Sequence, residues 1–251
     1  MEVSKTMSRL LPRLLAVTVR TPKYQALSLQ AVKRVELHLG LPVQVIECDD
    51  AKAFAMKLRL DRLCPATRIL FFDADWWPLR NLDFSGYSGG SWLAVHDAGV
   101  FHPAAFCMPD SATMGIPREW YFNSGFFVFD NTDSRHRRAF QAARDIEHSI
   151  FTGERARLHD FGEQSLLNAG VQQAGVPVQL LPFSMNTMLH FVRGGVFPYI
   201  PRVVHAVHAA GVPLKQKMRH LRAAAELLSF EPEPMQPEAL AFHHALSFET
   251  R

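Results

Sequence analysis

Short apolar runs alternate along this chain with longer stretches whose apolar positions recur every three or four residues, the pattern of strands separated by amphipathic helices. Residues 14–19 read as a first strand that ends at Arg20-Thr21-Pro22. Pro22 opens a helix in which Tyr24, Leu27, Ala31, Val35 and Leu39 keep helical spacing, with Gly40 as its stop. Residues 43–48 form a second strand. Asp49 or Asp50 then caps a helix expected to carry Phe54, Leu58 and Leu63 inward and Lys57, Arg59 and Arg62 elsewhere. Ile69-Leu70-Phe71-Phe72 is too short for a convincing helix and suits a central parallel strand covered on both faces. This βαβαβ order implies right-handed crossovers and a parallel sheet with helices on both faces.

Further along, residues 91–96 are expected as a strand, and 97–120 as an irregular stretch holding several Pro and Gly. A loop of that length inside a compact domain is a candidate substrate-side lid. Asn123-Ser124-Gly125 reads as a polar turn leading into a buried strand that runs to Asp130. Asp133 caps a helix to about Ile150, with Phe140, Ala143 and Ile150 on its apolar face. A shorter helix begins over 161–168, residues 176–181 form another strand, 203–207 the last, and 213–229 a helix. The expected organisation is one domain over residues 1–230 and a Pro-interrupted tail over 231–251.

Composition narrows the class. With 251 residues, 48% of them hydrophobic, the chain can bury one large α/β core. Its net charge of +3 and pI of about 8.9 come from scattered basic residues, which can help hold an anionic substrate but make no case for nucleic acid. Three cysteines (Cys48, Cys64, Cys107) without metal-type spacing fit a reducing compartment, so a cytoplasmic location is expected. The apolar run at residues 10–17 is broken by Pro12 and Arg13 and lacks a small-residue cleavage site, so it reads as a strand rather than a leader. No run approaches the ~20 apolar residues of a membrane span. Lys215, Lys217, Arg219 and Arg222 form either a solvated helix face or a peripheral contact with an anionic membrane.

The candidate chemistry gathers where the central strand ends, at Asp73-Ala74-Asp75. Ligands of open α/β sheets bind at the carboxyl ends of the strands. Two aspartates two apart in extended backbone project to the same side, where they repel each other unless a cation sits between them. A hard divalent metal carrying a diphosphate suits such a pair. Asp is also common after strands because turns use it, so the motif needs company.

Company is found in four segments that follow one another over residues 14–217. They are Ile69-Leu70-Phe71-Phe72-Asp73-Ala74-Asp75; Tyr121-Phe122-Asn123-Ser124-Gly125; Glu163-Gln164-Ser165-Leu166-Leu167-Asn168; and Val203-Val204-His205 through His208-Ala209-Ala210-Gly211, with Lys215 after it. Together they resemble the retaining, metal-dependent glycosyltransferases of the glycogenin and lipopolysaccharide galactosyltransferase type, glycosyltransferase family eight. Lys57-Leu58 is similar to that family's basic-Leu pair. The resemblance implies a GT-A fold, an α/β/α sandwich around a mostly parallel sheet. It implies transfer of a hexose, with retention, from a nucleotide diphosphate sugar to a glycan, lipid-linked or protein hydroxyl, with a UDP-sugar as expected donor.

It also implies roles. Asp73 and Asp75 would ligate Mn²⁺ or Mg²⁺, and a nitrogen ligand from His208 would tilt the choice to Mn²⁺. Lys57 and Lys215 would stabilise the diphosphate or hold sugar hydroxyls, and a main-chain amide at Gly211 would approach phosphate. Asn123, Glu163 and Gln164 would line the sugar pocket as the catalytic set, with Ala74 and Ser124 beside them. Thr18 and Tyr24 would face the nucleoside.

Each position also has a plainer reading: a turn at Asn123-Ser124-Gly125, a solvated helix start at Glu163-Gln164, a core aromatic at Tyr24, packing residues at Trp76 and Trp77, a solvated Lys57. Glu163 stands where the family has Asp, and Lys215 falls one residue late from His208, so His205 competes with His208 as ligand. Two other functions stay open: a nucleotide-sugar or glycan-binding domain without turnover, and a haloacid-dehalogenase-type phosphatase. The second needs Thr or Val where Trp77 stands and its motif on the first strand.

Overall fold

The computed structural model describes residues 14–64, 66–84, 86–87, 90–97, 114–151, 162–189 and 203–228. β1 (Leu14–Arg20) leads through a 3₁₀ turn at Pro22–Tyr24 into α1 (Gln25–Leu39), which Gly40 ends in the left-handed region at φ 61°. After β2 (Val43–Glu47) come α2 (Ala53–Lys57) and α3 (Leu60–Leu63), then β3 (Arg68–Phe72), β4 (Trp76–Pro78), β5 (Trp92–His96) and β6 (Phe122–Asp130). The chain continues with α4 (Ser134–Phe151), α5 (Glu163–Gln173), β7 (Val178–Leu181), β8 (Thr187–Met188), β9 (Ala206–His208) and α6 (Leu214–Leu228).

The main sheet has the order β2-β1-β3-β6-β5-β7. Only β6 runs against its neighbours; β2, β1, β3, β5 and β7 share one direction, so their carboxyl ends meet on one edge. β3 is apolar and buried from Ile69 to Phe72 because both its faces are covered there. Leu70 and Phe72 face a core built with Leu27, Ala31 and Val35 of α1 and Leu221, Ala224 and Ala225 of α6. Ile69 and Phe71 face a second core with Phe127 and Phe129 of β6 and Phe140, Ala143, Leu166 and Leu167 of α4 and α5. This is the α/β/α sandwich that the alternation of elements implies.

α4 and α5 cross closely: a Cβ on Gly170 would lie 2.2 Å from the Ala139 carbonyl oxygen. Asp133 caps α4, its Oδ1 accepting the Arg135 amide at 2.8 Å. β4, β9 and β8 form a separate three-stranded sheet, with β4 antiparallel and β8 parallel to β9.

Several expectations are corrected. The helix after β2 is not continuous: it breaks at Leu58 and Arg59, so no single apolar face runs through it. Phe54 is 63% exposed and Leu63 37%, whereas Lys57 is only 4% exposed. Neither Asp49 nor Asp50 caps it by a side-chain bond; the Asp50 carboxylate accepts the Lys23 amide instead, at 3.2 Å. Arg144 ties the broken segment to α4 through the Asp61 carboxylate and the Leu58 carbonyl at 2.8 Å. Asn123-Ser124-Gly125 is no turn but the buried start of the nine-residue β6. The last strand is Ala206–His208, in the small sheet, because 203–205 lie outside any ladder. The lid expected over 97–120 falls largely, at 98–113, outside the described residues, as do the tail, residues 1–13 and Cys107. Among the described residues no helix is long and apolar enough to cross a membrane.

Candidate functional site

Past Phe72 the chain turns over Asp73-Ala74-Asp75, with the Trp76 amide donating to the Asp73 carbonyl at 3.0 Å. The aspartates are therefore united by a turn, not by the extended backbone expected for them. Trp76 begins β4 opposite His208 of β9, and the Ala209 amide donates to the Asp75 carbonyl at 3.0 Å. The indole is locked by stacking on Phe126 at 4.6 Å and by donation from Nε1 to the Met185 carbonyl at 3.1 Å, so Trp76 and buried Trp77 are packing residues. Ligand atoms of Asp73, Asp75 and His208 consequently lie within 4.8 Å of one another. His208 Nε2 is 3.3 Å from Asp75 Oδ1. Its imidazole occupies space that only glycine leaves free, since a Cβ on Gly125 would lie 2.2 Å from His208 Cε1. His205 points elsewhere, its Nδ1 3.1 Å from Ser184 Oγ.

Two buried lysines flank the aspartates. Lys57 Nζ lies 3.0 Å from Asp73 Oδ1, 2.8 Å from Glu163 Oε1 and 3.4 Å from Ser124 Oγ, which occupies all three of its donors. Burial works against this ammonium, but Asp73 and Glu163 outweigh it and raise its pKa. Lys217 donates to Asp75 Oδ2 and to the Ala209 carbonyl. Burial disfavours the Asp75 carboxylate too, yet His208 and Lys217 prevail and hold its pKa low. Asp73 is pushed up, by burial first and by Asp75 as well, against the pull of Lys57.

Next to this cluster lies a buried polar network. Gln164 of α5 accepts at Oε1 from Asn123 Nδ2 and from the Ser124 amide, both at 3.1 Å, and donates to Asp97 Oδ2 at 2.8 Å. Asn123 donates to the same Asp97 oxygen at 3.1 Å and accepts from Asn186 Nδ2 at 3.1 Å. Asn168 pairs with both backbone groups of Phe122 at 2.9 Å, as a neighbouring strand would. Burying so many polar groups is tolerable because nearly all satisfy one another, Asn186 Oδ1 being left without a partner among the described residues, and the mutual bonds fix their orientation.

The residues expected from sequence are distributed as follows. Asp73, Ala74, Asp75, His208, Lys57, Ser124, Asn123, Glu163 and Gln164 come together at the carboxyl edge of the sheet. Thr18 is buried in β1, and its Oγ1 has no hydrogen-bond partner among the described residues. Tyr24 is half-buried, with Lys217 Nζ 5.9 Å from its ring centroid. Gly211 takes φ 71° in the exposed turn between β9 and α6. Lys215 is exposed on α6; the ammonium that reaches the aspartates is that of Lys217. A cleft of about 360 Å³ opens beside the ends of β1 and β2, between Thr21, Gln25, Glu47 and Asp49.

Sequence reasoning missed Lys217, Asp97 and Asn186. Lys217 was legible: it stands on the stripe of Leu221, Ala224 and Ala225, the core face of α6, and Lys215 does not. Asp97 had the signal of Asp73, a carboxylate directly after a buried parallel strand. Asn186 had none.

No protein-family model and no curated protein matches the chain. Solved structures do. The galactosyltransferase LgtC, in complex with donor and acceptor sugar analogues, is 14% identical over 91% of this chain and 99% of its own, with a TM-score of 0.58. The bifunctional glycosyltransferase WbbM is 11% identical over 84% of this chain and 50% of its own, at 0.64. The glycosyltransferase GlyE of Streptococcus pneumoniae TIGR4 is 13% identical over 86% of this chain and 62% of its own, at 0.56. The fold is therefore GT-A, and the proteins that share it here are glycosyltransferases.

Proposed function

We propose that this chain transfers a hexose from a nucleotide diphosphate sugar, a UDP-sugar, to a hydroxyl acceptor, with a divalent cation held by Asp73, Asp75 and His208. The observation that carries this reading is that cluster, set beside a buried amide and carboxylate network on the ligand-binding edge of a GT-A sheet. The donor set suits a cation: an imidazole nitrogen facing a carboxylate oxygen needs a proton or a metal ion between them. A mixed oxygen and nitrogen shell favours Mn²⁺ over Mg²⁺. When bound, the cation supplies Lewis-acid stabilisation of charge growing on the departing diphosphate.

The protein's own groups do the positioning. Lys57 bridges Asp73 and Glu163, and so fixes the metal-side carboxylate relative to the sugar-side one. Asn123, Gln164 and Asp97 offer donors and acceptors in fixed directions, which buried sugar hydroxyls require. Tyr24 and the cleft at the ends of β1 and β2 receive the nucleoside. Retention at the anomeric carbon follows from the family resemblance and from no single residue. The phosphatase alternative falls with the fold, since the aspartates follow the third strand of a GT-A sheet.

The test is release of sugar and nucleoside diphosphate from a panel of UDP-hexoses, with Mn²⁺ or with EDTA. Wild type should release both only with the metal, and Asp75→Ala should be inactive while retaining its fold. Binding of a UDP-sugar without release would make the chain a binding domain, and full activity in Asp75→Ala would remove the cation role.

A further inference from the structure

Lys217 lies on the core face of α6, and its ammonium has two acceptors: Asp75 Oδ2, and the Ala209 carbonyl oxygen at 2.8 Å. The other Asp75 oxygen faces His208 Nε2 at 3.3 Å. Both oxygens of a carboxylate assigned to the cation are thus already engaged. Asp73 is engaged as well, with Lys57 Nζ 3.0 Å from one oxygen and 3.2 Å from the other. Asp73, Asp75 and Glu163 bring three negative charges, and Lys57 and Lys217 bring two positive ones. A bare dication entering this cluster finds most of the attraction already spent.

The two lysines differ in their freedom. Lys57 is pinned by acceptors on three elements. Among the described residues the Lys217 ammonium hydrogen-bonds to Asp75 and the Ala209 carbonyl, and it lies 5.9 Å from the centroid of the Tyr24 ring. A diphosphate joining a nucleoside at Tyr24 to a cation at Asp75 would pass this ammonium.

We propose that Lys217 couples cation binding to diphosphate binding: it holds Asp75 in the unloaded protein and yields that oxygen to the cation when a diphosphate takes up the ammonium. The inference rests on the cation site proposed above. Direct attraction between cation and diphosphate also makes them bind together. What is peculiar to Lys217 is that removing it tightens binding of the cation alone, while weakening the help each ligand gives the other.

The test is Mn²⁺ binding to the full chain, by calorimetry and by the electron paramagnetic resonance signal of free Mn²⁺. It is run alone and with UDP, GDP or ADP, on wild type, Lys217→Met, Lys217→Gln and Arg219→Met. Arg219, exposed on the same helix, controls for net charge. Both Lys217 variants should bind Mn²⁺ alone about tenfold more tightly than wild type, within the usual range of coupling factors. Their gain from the nucleotide should shrink, and Arg219→Met should match wild type. Equal or weaker binding of Mn²⁺ alone by both variants overturns the proposal. Amine labelling of wild type read by mass spectrometry serves even if the variants fold poorly. Saturating Mn²⁺ alone should raise labelling of Lys217, and adding the nucleotide should suppress it; unchanged labelling with Mn²⁺ overturns the proposal. Failure of the underlying site looks different: no Mn²⁺ bound by wild type with any nucleotide, or Asp75→Ala binding as wild type does.

Discussion

Replacing Gly125 by alanine adds one methyl group at the point where β6 passes the imidazole. Gly125 does not have a positive φ, so alanine costs no backbone strain there and the effect is one of space alone. The new Cβ would lie 2.2 Å from His208 Cε1, 2.8 Å from Nε2 and 3.0 Å from Asn123 Oδ1. To reach ordinary van der Waals contact at 3.4 Å, the ring must retreat by about 1 Å. Metal–nitrogen bonds tolerate about 0.2 Å, so a displaced ring no longer completes the shell. Overpacking of this kind costs about 1–3 kcal/mol of stability, which a domain of this size survives. Mn²⁺ affinity in the presence of UDP should fall about 10- to 100-fold, the usual effect of disturbing a ligand's orientation. Gly86→Ala, where nothing lies within 4 Å of the new Cβ, is the control. Calorimetric titration measures the affinity and thermal unfolding the stability. A Gly125→Ala protein that folds and binds Mn²⁺ within twofold of wild type would refute the assignment of His208 as ligand.

Three further outcomes follow from the same geometry. Lys57→Met leaves buried Glu163 and half-buried Asp73 without their common cation, and should lower stability by about 3–5 kcal/mol in denaturant unfolding, with partial recovery in Mn²⁺. A loss below about 1 kcal/mol would mean that the pair is screened by solvent. Gly170→Ala forces a Cβ against the Ala139 carbonyl and should cost about 1–3 kcal/mol by the same assay without altering Mn²⁺ affinity; unchanged stability would show that α4 and α5 can part freely. Asp133→Ala removes the cap of α4 and should cost about 1 kcal/mol at neutral pH. Bonds from the Arg135 side chain and amide hold the Asp133 carboxyl down at about 2, below its unfolded value. Its contribution is therefore complete above about pH 4 and lost as pH falls from there toward 2, so the wild-type and variant unfolding curves should converge over that window.

The third strand was legible because a continuous apolar run marks a strand covered on both faces, and its aspartates stood out from an ordinary turn only in the company of the three later segments. The polar segments at 121–125 and 163–168 were picked out by their resemblance to family motifs, and the structure brings Asn123, Ser124, Glu163 and Gln164 together. What the pattern could not show was where helices break. Continuous helical spacing over residues 53–63 assigns Phe54 to the core and Lys57 to solvent. The structure reverses both, because Lys57 has Asp73 and Glu163 to pair with and the helix ends there. Asn123 to Gly125 read as a turn by residue type. They are held extended from both sides by long-range contacts: β6 pairs with β5 at Phe122 and with β3 from Phe126 onward, and the Gly125 carbonyl accepts the Asp73 amide at 2.8 Å. Lys217 lost out to Lys215 because motif spacing was followed in place of the buried stripe of α6.

The central claim is a cation held jointly by Asp73, Asp75 and His208. Crystals soaked with Mn²⁺ and UDP, with anomalous data collected at the manganese edge, test it most directly. One peak in bonding contact with both carboxylates and with His208 Nε2, and with a diphosphate oxygen on its open side, is the expected result. UDP bound with no peak there, or a manganese peak elsewhere on the chain, would contradict the account.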